Sequence, residues 1–208
     1  MNQVDILEQI AVEVNKCTKC PLHYSRKNGV PGEGPPGAQI MFIGEGPGFH
    51  ENEQGRPFVG AAGRFLEELL ATINLKRSEV FIGNVVKCRP PNNRDPQPEE
   101  IAACSPYLER QIQAIKPKVI VTLGRYSMNY FLPNVKIGDV HGQALKSKGR
   151  LIVSMYHPAA ALHQRSLRPT IETDFAKLPD LINQAANMPE YSEAPIDENE
   201  QPKQLSMF

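Results

Sequence analysis

Four short apolar runs limit most strongly what this chain can fold into. They occupy residues 39–44, 80–86, 119–124 and 151–156, and consist almost entirely of Ile, Val, Phe, Leu and Met with interspersed Gly. Near-continuous apolar runs are typical of strands covered on both faces, as in a parallel sheet. Helical patterns lie between or after them, at 61–73, 98–115, 125–132 and 172–186. The alternation predicts an α/β fold, a three-layer α/β/α sandwich around a four-stranded parallel sheet.

The distribution of charge divides the chain of 208 residues into a body and a tail. Residues 188–208 contain five acidic residues and one lysine, so residues 1–187, with 22 basic and 18 acidic residues, are mildly basic. We therefore predict one domain over 1–187 and a disordered acidic tail over 188–208. Any nucleic-acid site on the body would be a local patch and not a global field.

The apolar runs are too short to span a membrane, and the acidic, amphipathic N-terminal segment is unlike a signal peptide. We expect a monomeric protein of the cytoplasm, associated with the nucleoid.

Polar residues follow each predicted strand at its carboxyl end, where open α/β sheets bind ligands. The segment GEGPG at 44–48 follows the first strand, Asn84 lies at the end of the second, and Arg125 and His157 follow the third and fourth. The glycine-rich segment matches neither the dinucleotide fingerprint nor the P-loop, which excludes those phosphate sites. Each residue alone is more often an ordinary loop residue, but together they predict a site at one edge of the sheet.

Four cysteines form a second candidate site. Cys17 and Cys20 make a CxxC motif, and Cys88 and Cys104 are separated by fifteen residues. Structural disulfides are rare in cytosolic proteins, so a shared metal site explains the four better than four unrelated buried thiols. Their spacing suits either tetrahedral zinc or an iron–sulfur cluster, and does not decide between them.

Taken in order, these motifs resemble one known family. The segments GEGPG, GRPFVG, GNVVKCRPP and YHPAA, with the four cysteines in this order, are similar to the family 4 uracil-DNA glycosylases over about residues 5–185. The resemblance implies a DNA glycosylase that starts base-excision repair. It also implies a structural [4Fe–4S] cluster on the four cysteines.

The same resemblance implies roles for particular residues. Uracil flipped from DNA would lie against Glu45, Gly46 and Pro47, stack on Phe58, and meet Asn84 at its edge and His157 at O2. Glu45 and His157 would be the catalytic residues, and Glu51 would have an accessory role. Two positions depart from related enzymes: Gly46 stands where family 1 enzymes have Asp, and Asn52 where many family 4 members have Asp.

Two other functions compete with turnover of uracil-DNA. One is a protein that binds or covalently traps such DNA; the segment after the His-Pro motif contains Arg165 and Arg168 but no Lys-Arg-Arg-Ile-His run. The other is a metal scaffold without catalysis. If the protein binds DNA, the arginines of the loops near this edge of the sheet are candidates for phosphate contacts: Arg56, Arg89, Arg94, Arg125, Arg165 and Arg168.

The last five residues of the chain, QLSMF, form a candidate partner motif. Three large apolar side chains end a polar, acidic segment, which solubility alone does not explain. The segment resembles the short peptide by which bacterial DNA-metabolism proteins bind the replication sliding clamp. On that reading Leu205, Met207 and Phe208 fill an apolar groove, and Gln204 makes polar contacts.

Overall fold

The structure is a computed structural model that describes residues 2–147 and 149–184. The predicted tail 188–208 and its terminal peptide lie outside the described residues, so those two predictions stay open. Within the described ranges, no helix combines the length and apolar content that a membrane span requires.

The core of the fold is a mixed five-stranded sheet in the order β2-β1-β3-β5-β4. Its strands are β1 (Ile40–Gly44), β2 (Phe81–Asn84), β3 (Val119–Leu123), β4 (Gln143–Ser147) and β5 (Arg150–Met155). The first three strands and β5 pair in parallel and are the four predicted strands, whereas β4 pairs antiparallel to β5 at the edge. The prediction of four strands was therefore wrong by one. β4 reads QALKS and is only partly buried, so it has no apolar run to reveal it.

Helices connect the strands and cover the sheet. In chain order they are α1 (Gln3–Lys16), α2 (Phe49–Gln54), α3 (Ala61–Thr72), α4 (Pro98–Ile115), α5 (Arg125–Phe131), α6 (Ile137–Val140), α7 (Pro158–His163), α8 (Arg168–Ala176) and α9 (Leu178–Asn183). Short 3-10 turns occupy Pro21–Tyr24, Arg77–Glu79, Pro91–Asn93 and Arg165–Leu167.

The helix predicted over 98–115 is confirmed as α4, which continues through Pro106. The helix predicted over 172–186 was wrong in its extent: helix begins earlier, at Arg168, and is divided in two at Lys177. Pro179, in the first turn of α9, lacks the N–H that a continuous helix would need there, so it favours a new helix start.

The strands bury both faces, as their composition predicts. On β1, Phe42 packs into the layer formed with α3 and α8, while Met41 and Ile43 pack into the opposite layer with α4 and α5. Alternate side chains of a strand point to opposite faces, so one five-residue strand contributes to both cores. A third apolar cluster joins α1 to α4 around Ile10, Val14 and the cysteines.

The parallel register brings the carboxyl ends of the strands together. Gly44 of β1 pairs with Asn84 of β2, and Leu123 of β3 pairs with Met155 of β5. The chain therefore leaves these four strands at the same edge of the sheet, which places the glycine-rich loop, Asn84 and His157 side by side.

Candidate functional site

A cavity of about 650 Å³ opens at this edge of the sheet. Its wall comes from the loops that follow β1, β2 and β5, together with the first turns of α3, α5 and α7. The lining includes most of the residues that the sequence predicts for the site: Glu45, Gly46, Pro47, Glu51, Phe58, Asn84, Arg94, Arg125 and His157.

Asn84 is a buried amide in the wall of the cavity. Only 1% of the residue is exposed, yet its Oδ1 has no hydrogen-bond partner among the described residues. A buried acceptor left unpaired costs about 1–3 kcal/mol, which is why such groups are rare outside ligand sites. A Cβ on Gly44 would lie 2.5 Å from this oxygen, so only glycine at that position leaves the amide in place.

Phe58 is held in an uncommon backbone conformation. Its φ is 51°, in the left-handed region that bulky residues rarely adopt. The loop packs tightly on α3, because a Cβ on Gly63 would lie 1.9 Å from the Phe58 carbonyl oxygen. The Phe58 ring is close to Gly44 and lies 5.5 Å from the His157 ring, with 24° between the planes. Backbone strain of this kind persists only where neighbouring contacts impose it.

Glu51 fixes the chain directly after Phe58. Its Oε1 accepts hydrogen bonds from the backbone N–H groups of Val59 and Gly60, both at 2.9 Å. The neighbouring Asn52 is buried, and its Oδ1 accepts from the backbone N–H of Lys27. Asn52 therefore faces away from the cavity and ties α2 to the segment that follows the CxxC motif.

His157 is a neutral imidazole. Burial lowers the pKa of its ring to about 4, although the nearby Glu51 carboxylate acts in the opposite direction. Its Nδ1 accepts the backbone N–H of Ala159 at 3.0 Å, which caps the first turn of α7. Because Nδ1 is an acceptor, the single proton of the neutral ring is on Nε2, which is therefore a donor.

Glu45 has a carboxyl group whose pKa lies well above its usual range. Its pKa is raised to about 7, chiefly by burial and also by the Asp95 carboxylate, while the Arg125 guanidinium lowers it. Asp95 and Arg125 form an exposed ion pair with 2.6 Å between Oδ2 and Nη2. Glu45 thus loses its proton near pH 7, in the range where many general acids and bases work.

The six candidate phosphate-binding arginines are placed differently. Arg94 and Arg125 line the cavity, and Arg89 donates to Asn93 and lies over the Phe49 ring. Arg165 is exposed. Four arginines have carboxylate partners: Arg56 with Glu33, Arg94 with the buried Glu100, Arg125 with Asp95, and Arg168 with Glu68 and Glu172. Exposed ion pairs cost little to open, so the phosphate contacts stay predictions.

The four cysteines come together in one small pocket between α1, α4 and the segment after β2. Three of the sulfurs accept hydrogen bonds: Cys17 from the Lys19 N–H, Cys88 from the Arg26 guanidinium, and Cys104 from the Lys87 N–H. Burial raises the pKa of the Cys20, Cys88 and Cys104 thiols, in the last case to about 11. No group of three or more metal-binding side chains is close enough for a single ion within the described residues.

Lys87 lies between the cysteine pocket and the cavity. It is 1% exposed, and its ammonium donates to the Asn84 carbonyl at 2.9 Å and to Gln111 Oε1 at 2.7 Å. Both acceptors are neutral, and burial lowers the pKa of this lysine to about 8. A buried cation without an anionic partner is costly, so negative charge in the adjacent cysteine pocket would stabilise it.

Some residues of the cavity carry no sequence signal. Asp95 and His163 line it, but they belong to a loop and a helix end with no recognisable pattern. Arg77 contacts the Phe58 loop, and no sequence pattern marks this residue either.

Comparison with known proteins agrees with this geometry. The sequence model of the uracil DNA glycosylase superfamily matches residues 31–180. A Type-4 uracil-DNA glycosylase of Sulfurisphaera tokodaii is 52% identical over 188 residues, which cover 86% of each chain. The Type-4 enzyme of Saccharolobus solfataricus is 50% identical, covering 86% of this chain and 88% of its own. That of Archaeoglobus fulgidus is 46% identical, covering 86% and 94%.

The tautomer and charge of His157 can be tested directly. We expect ¹⁵N NMR of histidine-labelled protein to show a neutral ring with its proton on Nε2 at pH 7, with no titration between pH 8 and 5, because burial holds the pKa near 4. The His157→Gln variant identifies the signals. A ring that titrates near its ordinary pKa, or that carries its proton on Nδ1, would contradict the assignment.

Proposed function

The chain belongs to the uracil-DNA glycosylase superfamily, and we propose that the cavity at its sheet edge takes up uracil flipped out of DNA. The relatives reported above are named Type-4 uracil-DNA glycosylases, which supports excision of uracil in DNA repair. Hydrolysis of the N-glycosidic bond then depends on how the cavity recognises the base and stabilises the charges that develop as the bond breaks.

The unpaired amide oxygen of Asn84 is the observation that carries this proposal. The N3–H of uracil would donate to Oδ1, and the amide nitrogen of Asn84 would donate to O4. Cytosine presents the reverse pattern, with an acceptor at N3 and a donor at C4. A fixed amide would then face unpaired polar groups, and sites built on such hydrogen bonds discriminate strongly.

The remaining base contacts follow from shape. Phe58 offers an aromatic face on which a flat ring can stack, and base–aromatic stacking contributes about 1–3 kcal/mol. Gly46 and Pro47 complete the wall against the base. A Cβ on Gly46 would lie 2.8 Å from Val86 Cγ2, so the loop can follow this path only with glycine there.

His157 would act on the leaving group. Cleavage leaves negative charge on uracil, largely on O2, and a donor aimed at that oxygen contributes most in the transition state. The neutral ring can donate from Nε2–H without first having to gain a proton, and the Nδ1 contact with Ala159 fixes the ring orientation. Glu51 supports the same wall through its bonds to the loop after Phe58.

Glu45 would act on the sugar side. Loss of the base creates positive charge on the sugar, as in other glycosidic cleavages, and a carboxylate stabilises that charge and orients the attacking water. The carboxylate form is therefore the active one. Since its pKa is raised to about 7, activity should fall as the pH drops through that value.

Release of uracil from single-stranded DNA, measured under single-turnover conditions from pH 5 to 9, tests the proposal. We expect the pH–rate profile to have an acidic limb with its midpoint near pH 7. Asp95→Asn should move this midpoint to lower pH, because a neighbouring negative charge is removed, and Arg125→Gln should move it to higher pH. Glu45→Gln should lower the rate roughly 100-fold and abolish the limb. Midpoints that stay equal, or that move in the same direction, would contradict the role of Glu45.

We also propose that Cys17, Cys20, Cys88 and Cys104 hold a [4Fe–4S] cluster. Several irons separate their thiolates more widely than one ion does, which fits a pocket lined by four cysteines without a single-ion site. The N–H and guanidinium donors on the sulfurs, with buried Lys87 beside them, suit a negatively charged group. When bound, the cluster supplies a cross-link between α1, α4 and the segment after β2.

Metal analysis tests the cluster. We expect about four irons per chain in protein purified without oxygen. Cys88→Ala should lower the iron content and the thermal unfolding midpoint together, because metal binding contributes folding free energy. Ser105→Ala, a change at a half-buried residue beside Cys104 on α4, is the matched control and should alter neither. Stoichiometric zinc without iron would contradict the assignment.

A protein that traps uracil-DNA without turnover is the alternative activity. The relatives matched here at 46–52% identity are all named Type-4 uracil-DNA glycosylases, which favours turnover. We propose that the enzyme acts as a monomer, because one chain supplies every residue invoked at the cavity. We also propose that it acts in the cytoplasm on nucleoid DNA.

The terminal peptide is proposed to bind the replication sliding clamp. A short apolar peptide on a polar linker gains modest affinity and leaves the enzyme free to move on its tether. Deletion of residues 204–208 should abolish binding to the cognate clamp and leave uracil release from short oligonucleotides unchanged. Equal clamp binding by both forms, or by neither, would contradict the proposal.

A further inference from the structure

The loop that carries Phe58 is held from both sides by charged groups. Glu51 accepts from the N–H groups of the two residues after Phe58, as described above. On the other side, Arg77 Nη1 donates to the Phe58 carbonyl at 2.9 Å, and Nη2 donates to the Pro57 carbonyl. A planar guanidinium can bridge two successive carbonyl oxygens, which a single ammonium cannot do with the same geometry.

Arg77 lies between two carboxylates. Its side chain is 16% exposed, and its Nε and Nη1 atoms lie 3.6 Å from the carboxylates of Glu33 and Glu67, respectively. Nε has no hydrogen-bond partner among the described residues. Glu33 exchanges two backbone hydrogen bonds with Ile82 of β2, at 2.8 and 2.9 Å. Arg77 therefore connects the Phe58 loop to the strand that ends at Asn84 and, through Glu67, to α3.

The position of this contact coincides with the backbone strain. The carbonyl that Arg77 binds belongs to Phe58, whose φ is positive, and the same oxygen packs against Gly63. Bonds from a cation to this carbonyl and to the preceding one stabilise the turn that points the aromatic ring into the cavity. Charge-assisted hydrogen bonds are roughly twice as strong as neutral ones, so their loss should release the strain.

We propose that Arg77 is the positioning residue that holds Phe58 as the stacking platform for the base. Arg77 does not line the cavity, so it acts through the loop and not on the substrate. The inference rests on the proposed role of Phe58 in uracil binding. It adds that the position of the Phe58 ring depends on the paired hydrogen bonds of the Arg77 guanidinium, which lies outside the cavity.

A double-mutant cycle tests this positioning role. The probes are free uracil, whose dissociation constant is measured by NMR, and single-turnover uracil release from DNA. We expect Arg77→Met to weaken uracil binding and slow release by roughly 5- to 100-fold, the range of one lost stacking contact. Combined with Phe58→Ala, Arg77→Met should add no further loss, because both changes remove the same contact.

The controls separate positioning from general destabilisation. Arg110→Met removes a guanidinium that is likewise paired with a carboxylate, that of Glu13. It should leave uracil binding and release unchanged, because its bonds are to Glu13 and not to the Phe58 loop. Arg77→Lys retains the charge next to Glu33 and Glu67 but loses the fork, so it should fold and still bind uracil more weakly than the wild type.

The possible outcomes are distinguishable. If wild-type protein neither binds nor releases uracil, the proposed function fails. If wild-type protein is active and the Arg77 and Phe58 losses multiply, or Arg77→Lys binds uracil as tightly as the wild type, the positioning role is overturned. Should Arg77→Met fail to fold, Arg77→Lys carries the same cycle with Phe58→Ala.

Discussion

The parallel register between β1 and β2 is the constraint on which the site depends. It sets Gly44 opposite Asn84, and the missing side chain at Gly44 leaves room for both the Asn84 amide and the Phe58 ring. A one-residue slip would exchange the side chains of β1 between the two cores, so the packing of Phe42 on one face and of Met41 and Ile43 on the other favours this register. The energy of the core thereby sets the geometry of the cavity.

Around that pair, the protein keeps polar groups in states that water would not favour. An amide oxygen is buried without a partner in the described part of the chain, a histidine is neutral well below its usual pKa, and a glutamate retains its proton to about pH 7. Each state has the same physical cause, which is removal from solvent. Each state also suits the chemistry proposed for it. The edge of the base would pair with the Asn84 amide, the negative charge that develops on uracil would meet the His157 donor, and the positive charge that develops on the sugar would meet the Glu45 carboxylate.

Much of this arrangement could be predicted from the sequence, because it depends on local pattern. The buried strands have continuous apolar runs, and Asn84 and His157 follow from their positions at strand ends. The fifth strand, Gln143–Ser147, could not be predicted in this way, since an edge strand with one partner needs no apolar run. The division at Lys177 was also missed, although Pro179 offered a signal for it.

The contacts that hold the residues of the cavity in place could not be predicted from the sequence, for a different reason. Arg77 contacts a loop about twenty residues earlier in the chain, and Lys87 reaches Gln111 across the layer, so neither pairing follows from spacing. Arg56 and Arg94 looked like surface cations available to phosphate, yet each is paired with a glutamate. Such long-range pairings depend on the packed fold and become visible only there.

The base selectivity of Asn84 variants shows whether this amide recognises uracil. Uracil and cytosine release from matched single-stranded oligonucleotides should be measured for the wild type, Asn84→Asp and Asn84→Ala. We expect the wild type to release uracil alone and both variants to lose most of this activity. Any release of cytosine should appear only in Asn84→Asp, where a protonated carboxyl can offer the reversed donor pattern. Full uracil activity in Asn84→Ala would contradict the role of this amide in base recognition.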